Sequence, residues 1–186
     1  MASRPMKVSF ALDDQDIAYF RSRFRKAKRV ARGQDDADVI AQARSLVSTV
    51  RATKKAPHFV RESVTAIEDL VELIEDQYYK APKAVVNKVI AALAYFANPD
   101  DLIPDEIPVL GFLDDAIMIK IVEMEFKHEL AAFRKFRRFE QGAEQRPWTN
   151  VASARLPARL EVRRKKLREE VDRKQAADAE KGAGIL

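Results

Sequence analysis

A chain of 186 residues with 47% hydrophobic content and five glycines is long enough for one helical domain with extensions, and too apolar to be disordered. The absence of cysteine excludes a disulfide framework and a thiolate metal site, and no run of 18 apolar residues lacks a charge or a proline, which excludes a membrane-spanning helix. The net charge of +5 is regional, since residues 134 to 174 hold 14 Lys or Arg against 6 Asp or Glu.

Met1 to Ser9 lacks the apolar stretch of a secretory signal, so a cytoplasmic location is expected. Lys7 to Leu12 alternates like a short extended lead-in, and Asp13, Asp14 and Asp16 supply a cap and first-turn acids for a first helix. Its apolar positions Ile17, Phe20, Phe24, Ala27 and Ala31 recur at helical spacing, while residues 21 to 32 carry seven basic groups and no acid. The prediction is a basic amphipathic helix ending near Gly33. Asp35, Asp36 and Asp38 open a second helix with Ile40, Ala43, Val47 and Val50 as its inner stripe, running to Lys54 and Lys55.

Pro57 starts a third helix, in which Val60, Val64, Ile67, Val71, Ile74 and Tyr78 alternate in steps of four and three among Glu62, Glu68, Asp69, Glu72 and Glu75. One face of it must pack on other helices. Pro82 suits the first turn of a fourth, apolar at Val85, Val86, Val89, Ile90, Leu93 and Phe96 and ending by Ala97. Phe112 to Phe139 reads as one long fifth helix, with Ile117, Ile121, Met124, His128 and Ala131 on its inner stripe.

From Gln141 the composition changes. Gly142, Pro147, Trp148, Asn150, Ser153 and Pro157 mark a linker, and the charged segment Arg159 to Ala179 is only weakly amphipathic. Leu156, Leu160, Leu167 and Val171 are too few for a coiled coil, so a conditional, solvent-rich helix is expected. The predicted fold is all-α: a compact bundle of about five helices over residues 10–141 with a basic C-terminal extension. Its parts are a helical pair (1–56), a helical core (57–141) and a basic linker with the conditional helix (142–186).

Between the fourth and fifth helices, Asn98 to Asp115 holds six carboxylates (Asp100, Asp101, Asp105, Glu106, Asp114, Asp115) and three prolines (Pro99, Pro104, Pro108). Pro99 forces Asn98 out of helical backbone, Asp100 or Asp101 can cap a short turn, Pro104 breaks it, and Asp105 can cap again. Leu102, Ile103, Ile107, Val109 and Leu110 form the apolar underside, and Gly111 allows a sharp turn. The result is a stiff double turn bracing a helical hairpin.

Tyr95, Pro99, the run Asp101-Leu102-Ile103-Pro104-Asp105, Pro108, Gly111 and the pair Asp114-Asp115 resemble the hallmark of the YkvA-like family (DUF1232) of small bacterial domains, over about residues 82–125. The family has no established activity. Asp100 and Glu106 stand where an apolar or aromatic residue is more usual in it. Several relatives have a more lipophilic stretch here and look membrane associated, but each added carboxylate costs roughly 2.5–3.5 kcal/mol at a bilayer centre, so insertion is disfavoured.

Two uses of the acids compete. Capping explains most of them; alternatively Asp101, Asp105, Asp114 and Asp115 are candidate ligands for Mg²⁺ or Ca²⁺, which take oxygen donors. That arrangement would suit a divalent-metal-dependent hydrolase or transferase with Lys88, Lys120 or His128 in support. Elsewhere no nucleophile triad and no phosphate loop occurs, and a lone His128 on an inner stripe reads as an interface histidine, so no catalytic residue is assigned. Arg21, Arg25 and Lys28 on the first helix, and Arg163, Arg164, Lys165 and Lys166 on the tail, are candidates for binding anions or an acidic partner. Nucleic acid is a further alternative, although no recognition motif accompanies the charge. The function these residues favour is a non-enzymatic interaction or regulatory domain with no cofactor. The expected partner is a protein of unspecified identity, with peripheral contact at an anionic inner membrane surface as a variant.

Overall fold

The computed structural model describes residues 11–30, 33–53, 56–96, 112–144 and 155–181. Among these residues there are seven helices and no strand: α1 (Asp14–Val30), α2 (Asp36–Ala52), α3 (His58–Glu75), α4 (Lys83–Leu93), α5 (Leu113–Glu125), α6 (Lys127–Glu144) and α7 (Leu156–Glu180). The fold is all-α as predicted, with seven helices where about five and a loose tail were expected. The acidic connection from Asp100 to Gly111, with Pro99, lies outside the described residues.

The first two helices start as their acids dictate. Asp13 Oδ1 accepts the backbone N–H groups of Gln15 (2.8 Å) and Asp16 (3.0 Å), while Asp13 N–H donates to Asp16 Oδ2 (3.0 Å), a reciprocal capping box. Asp35 Oδ1 accepts from Ala37 N–H at 3.1 Å.

α3 departs from the single-stripe expectation. Val60, Val64, Ile67 and Val71 are buried as predicted, but so are Ala66, Leu70 and Leu73, which lie on a second side. This helix therefore runs through the middle, touching α2, α4, α5 and α6. It also stops earlier than the stripe implies. Asp76 Oδ1 captures the N–H groups of Tyr78 (2.8 Å) and Tyr79 (2.7 Å), offering the backbone an alternative to another helical turn. Tyr78, assigned to the stripe, is 53% exposed, and Tyr79 is buried in its place.

The long fifth helix is two. At Phe126 the backbone takes φ −96° and ψ 17°, a single residue between α5 and α6. The cause is a division of labour between two cores. Phe126 and the α5 residues Ala116, Met118, Ile119 and Val122 belong to a larger core with α2, α3 and α4. Ala132, Phe133 and Phe136 of α6 belong instead to a second core with Leu73, Tyr79 and the α7 residues Leu160, Leu167 and Val171. One straight helix cannot aim its apolar side at both. The predicted stripe consequently fails at Met124, which is largely exposed, and holds at Ile121.

α7 is not a loose, solvent-rich helix. Leu160, Leu167 and Val171, too few for a coiled coil, are nevertheless fully covered, each burial contributing about 1.5–3 kcal/mol. Tyr79 meets Phe133 and Phe136 edge-to-face at 5.2 and 5.3 Å, and burial, followed by the nearby Glu129, pushes its phenol well above its ordinary pKa. At the rim of this core the buried carboxylate of Glu129 accepts both terminal nitrogens of Arg168, at 2.6 and 2.8 Å. Such a bidentate pair fixes register more than it adds net stability.

Removing one partner should therefore hurt more than removing both. Glu129→Ala is expected to cost about 3–5 kcal/mol because Arg168 is left unpaired, whereas Glu129→Met with Arg168→Met should recover most of that loss. Urea denaturation followed by circular dichroism checks this, and equal destabilisation by the single and double variants would refute the register role.

Candidate functional site

The charges of the molecule are sorted by helix. Four acids of α3 are each met by an arginine of a neighbour: Glu75 by Arg44 and Glu68 by Arg51, both from α2, then Asp69 by Arg134 and Glu72 by Arg137, both from α6. The fifth, Glu62, lies 3.3 Å from His58 one turn away. The outer side of α1 is different. Tyr19, Ser22, Lys26 and Arg29 follow three- and four-residue spacing with Arg25 beside them, all exposed on its outer side. Among the described residues no carboxylate pairs with Arg25, Lys26 or Arg29, and Arg29 Nε only reaches the Arg25 carbonyl at 3.4 Å. An unbalanced cationic face carrying one aromatic ring results. Arg21 is half-buried, and the side chain of Lys28 lies outside the described residues.

The inner side of α1 explains how this face is held. Phe24 is buried, with its ring 6.3 Å from Tyr95, and α1 packs on α4 and α5. Tyr95 in turn stacks edge-to-face on Phe96 at 5.2 Å, in the turn that follows α4. The cationic helix is mounted on the hairpin.

The other predicted basic cluster is dispersed. Arg163 stacks over Phe139 with its guanidinium 5.6 Å from the ring centre, and Arg159 lies at 5.7 Å from the same ring. Arg164 is half-buried beside Tyr78 and Lys80, and Lys165 pairs with Glu161 at 3.0 Å. The exposed strip Glu161, Lys165, Lys166, Glu169, Asp172 and Arg173 alternates three acids with three bases, so α7 presents no net charge along it. His128 serves α7 docking. Its Nε2 stands 2.8 Å from Asp178, which also binds Lys127, while Lys135 and Lys174 both reach Glu170 at 2.7 Å.

Of the four acids proposed as metal ligands, Asp101 and Asp105 lie outside the described residues. Asp114 is buried and Asp115 half-buried in the first turn of α5, and both are engaged within the fold. Among the described residues no three His, Asp or Glu side chains gather as a cation would need. Pro99, Leu102, Ile103, Pro104, Pro108 and Gly111 of the motif also fall outside the description; Tyr95 is half-buried.

Sequence reasoning missed a second feature. Between the start of α1, the first turns of α3 and the outer side of α5 lies an open cleft of about 560 Å³, walled by Leu12, Ile17, Phe59, Ile117, Ile121 and Met124. Phe59 and Met124, 45% and 46% exposed, stand at its edge. Its charged rim is self-satisfied: Glu123 holds Lys120 at 2.6 Å and Arg134 at 3.7 Å, and Arg134 also binds Asp69. The signal was present only as scattered apolar residues, of which Ile17, Ile117, Ile121 and Met124 read as inner stripe while Leu12 and Phe59 were given no packing role.

Comparison with known proteins places the hairpin. Residues 88–121, from the middle of α4 to the middle of α5, match the family model described as protein of unknown function (DUF1232). The chain carries a YkvA-like DUF1232 segment. It is 43% identical over 47 residues to the uncharacterized membrane protein YkvA of Bacillus subtilis (strain 168), an alignment spanning 25% of this chain and 44% of that relative. No solved structure matches. Among the described residues no helix is long and apolar enough to cross a membrane. The YkvA-like segment thus supplies Tyr95 and most of α5, the seat of α1, while α2, α3, α6 and α7 fall outside the match.

The contacts that dock α7 carry a pH signature. Hydrogen bonds from Lys127 and then His128 hold Asp178 down to about 2 from an ordinary 3.8, and Lys135 and Lys174 hold Glu170 down to about 2 from 4.5. A carboxylate depressed in the folded state binds fewer protons there than in the unfolded chain. Its stabilisation is therefore complete above about pH 4.5 and is lost as pH falls toward 2. Urea midpoints measured from neutral pH downward should drop in that window, with a shallower drop in Asp178→Asn/Glu170→Gln protein.

Proposed function

We propose that this protein is a non-enzymatic interaction module that sits peripherally on an anionic membrane surface through the outer face of α1. The observation that carries this reading is the contrast in charge matching. The arginines of α2 and α6 that cross to α3 are neutralised there, whereas Arg25, Lys26 and Arg29 face outward with no carboxylate paired to them among the described residues, and Tyr19 lies alongside. A basic helix of this kind is drawn to the negative potential of acidic headgroups, and an amphipathic ring such as tyrosine suits the interfacial layer. The similarity of the hairpin to part of a protein named as a membrane protein supports the same location. Attachment by surface charge needs no spanning helix.

Each basic residue near an acidic surface contributes about 1 kcal/mol, so three together are worth roughly a hundredfold in partitioning. Sedimentation with phosphatidylserine-containing vesicles at low ionic strength should carry the protein down, and added salt or pure phosphatidylcholine should release it. The variant Arg25→Gln/Lys26→Gln/Arg29→Gln should stay in the supernatant, while Lys165→Gln/Lys166→Gln should sediment normally. Sedimentation that ignores lipid charge, or survives the α1 substitutions, removes this reading.

A further inference from the structure

We infer that the cleft between α1, α3 and α5 is a binding site for one acyl chain of a membrane phospholipid, an inference that rests on the membrane seat proposed for α1. The cleft falls in the size range of small-molecule sites, about 300–1,000 Å³, and like them is mostly hydrocarbon with a polar edge. What distinguishes it is how its polar groups are spent. Lys120, Glu123 and Arg134 satisfy one another and Asp69, Glu62 stands in water 3.3 Å from His58, and the Ser63 hydroxyl donates to the Phe59 carbonyl at 2.8 Å. Among the described residues no cation at the rim is left to hold a phosphate head group. The unsatisfied part of the surface is apolar: Phe59 and Met124 at the mouth, with Leu12, Ile17 and Ile117 behind them. Such a surface takes an uncharged hydrocarbon and leaves the head group in water. Met124 suits a flexible chain, since its thioether adapts to irregular apolar shapes.

The source of the chain follows from position. Ile17 belongs to the start of α1 and Leu12 immediately precedes it, so the element whose outer face is set against headgroups also forms a wall of the cleft on its inner side. A bilayer brings acyl chains to that element at high local concentration.

The test uses the full chain in solution, without vesicles, and a lysophosphatidylcholine carrying a fluorescent nitrobenzoxadiazole group on its chain, kept below its micellar concentration. Saturable fluorescence enhancement is expected. Ile117→Trp, which fills the cleft, and Met124→Glu, which places a charge at its mouth on an exposed position, should each weaken binding at least about tenfold while circular dichroism and thermal midpoint stay near those of the parent. The α1 variant Arg25→Gln/Lys26→Gln/Arg29→Gln should bind the probe normally, because its defect is in vesicle attachment. Absence of saturable binding, or binding unchanged in both cleft variants, overturns the acyl site and leaves vesicle attachment to stand on its own measurement. Self-association that Met124→Glu abolishes, seen by sedimentation velocity in protein that ignores the probe, gives the face to a second copy of the chain and equally overturns it.

Discussion

Burial of α3 on two sides is the constraint from which the rest of the arrangement follows. With Val60, Val64, Ile67 and Val71 on one side and Ala66, Leu70 and Leu73 on another, its five acids fall on the one remaining face. The margins of that face run along the seams with α2 and α6, where those helices meet four of the acids with arginine. Individually these pairs are partly exposed and contribute about 0–1 kcal/mol at most. Collectively they decide which side of α2 and which side of α6 can lie against α3. Burial supplies the free energy and the charge pairs select the orientation.

The same sorting determines what is left over. Acids of α3 are used on α2 and α6, and acids of α7 are used on Lys127, His128 and Lys135 or interleaved with its own lysines. α1 contributes Phe24 to the core beside the ring of Tyr95 and, among the described residues, receives no carboxylate for Arg25, Lys26 or Arg29. Net charge alone, at +5, says little about where a negative partner would land. On α1 the basic residues share one outer side, and that helix rests on the YkvA-like hairpin.

How much of this was legible in the sequence depended on whether the signal was local. Caps at Asp13 and Asp35, the inner residues Ala43, Val47 and Val50, and the basic character of α1 were all readable, because each depends on neighbours within one or two turns. The exchange of Tyr78 for Tyr79 was less visible, since it turns on Asp76 capturing two backbone N–H groups in competition with the helix. The break at Phe126 had no local cause at all. It reflects two cores whose membership is settled by α3 and α7, far away in the chain. The docking of α7 was hidden for a related reason: three apolar residues suffice when Glu129, His128 and Lys135 on another helix supply matching partners. The hairpin motif marked the family without exposing the site, because the cleft draws single residues from helices that each look complete.

The cleft is itself a consequence of the split between α5 and α6. Once Phe126 ends α5 and α6 turns Phe133 and Phe136 toward α7, nothing in the described residues covers Met124 or the first turn of α3 at Phe59. Hydrocarbon left in water costs about 25 cal/mol per Å², a penalty that the fold does not need to bear. Polar side chains at two such exposed positions would change stability by only about half a kcal/mol each. Folding therefore sets no requirement for phenylalanine and methionine there, whereas Leu70 or Phe136, fully enclosed, could not be replaced without a cavity. The apolar mouth is best understood through what it meets from outside, and its closure by a hydrocarbon chain would remove from water the part of α1, α3 and α5 that packing within the chain leaves open.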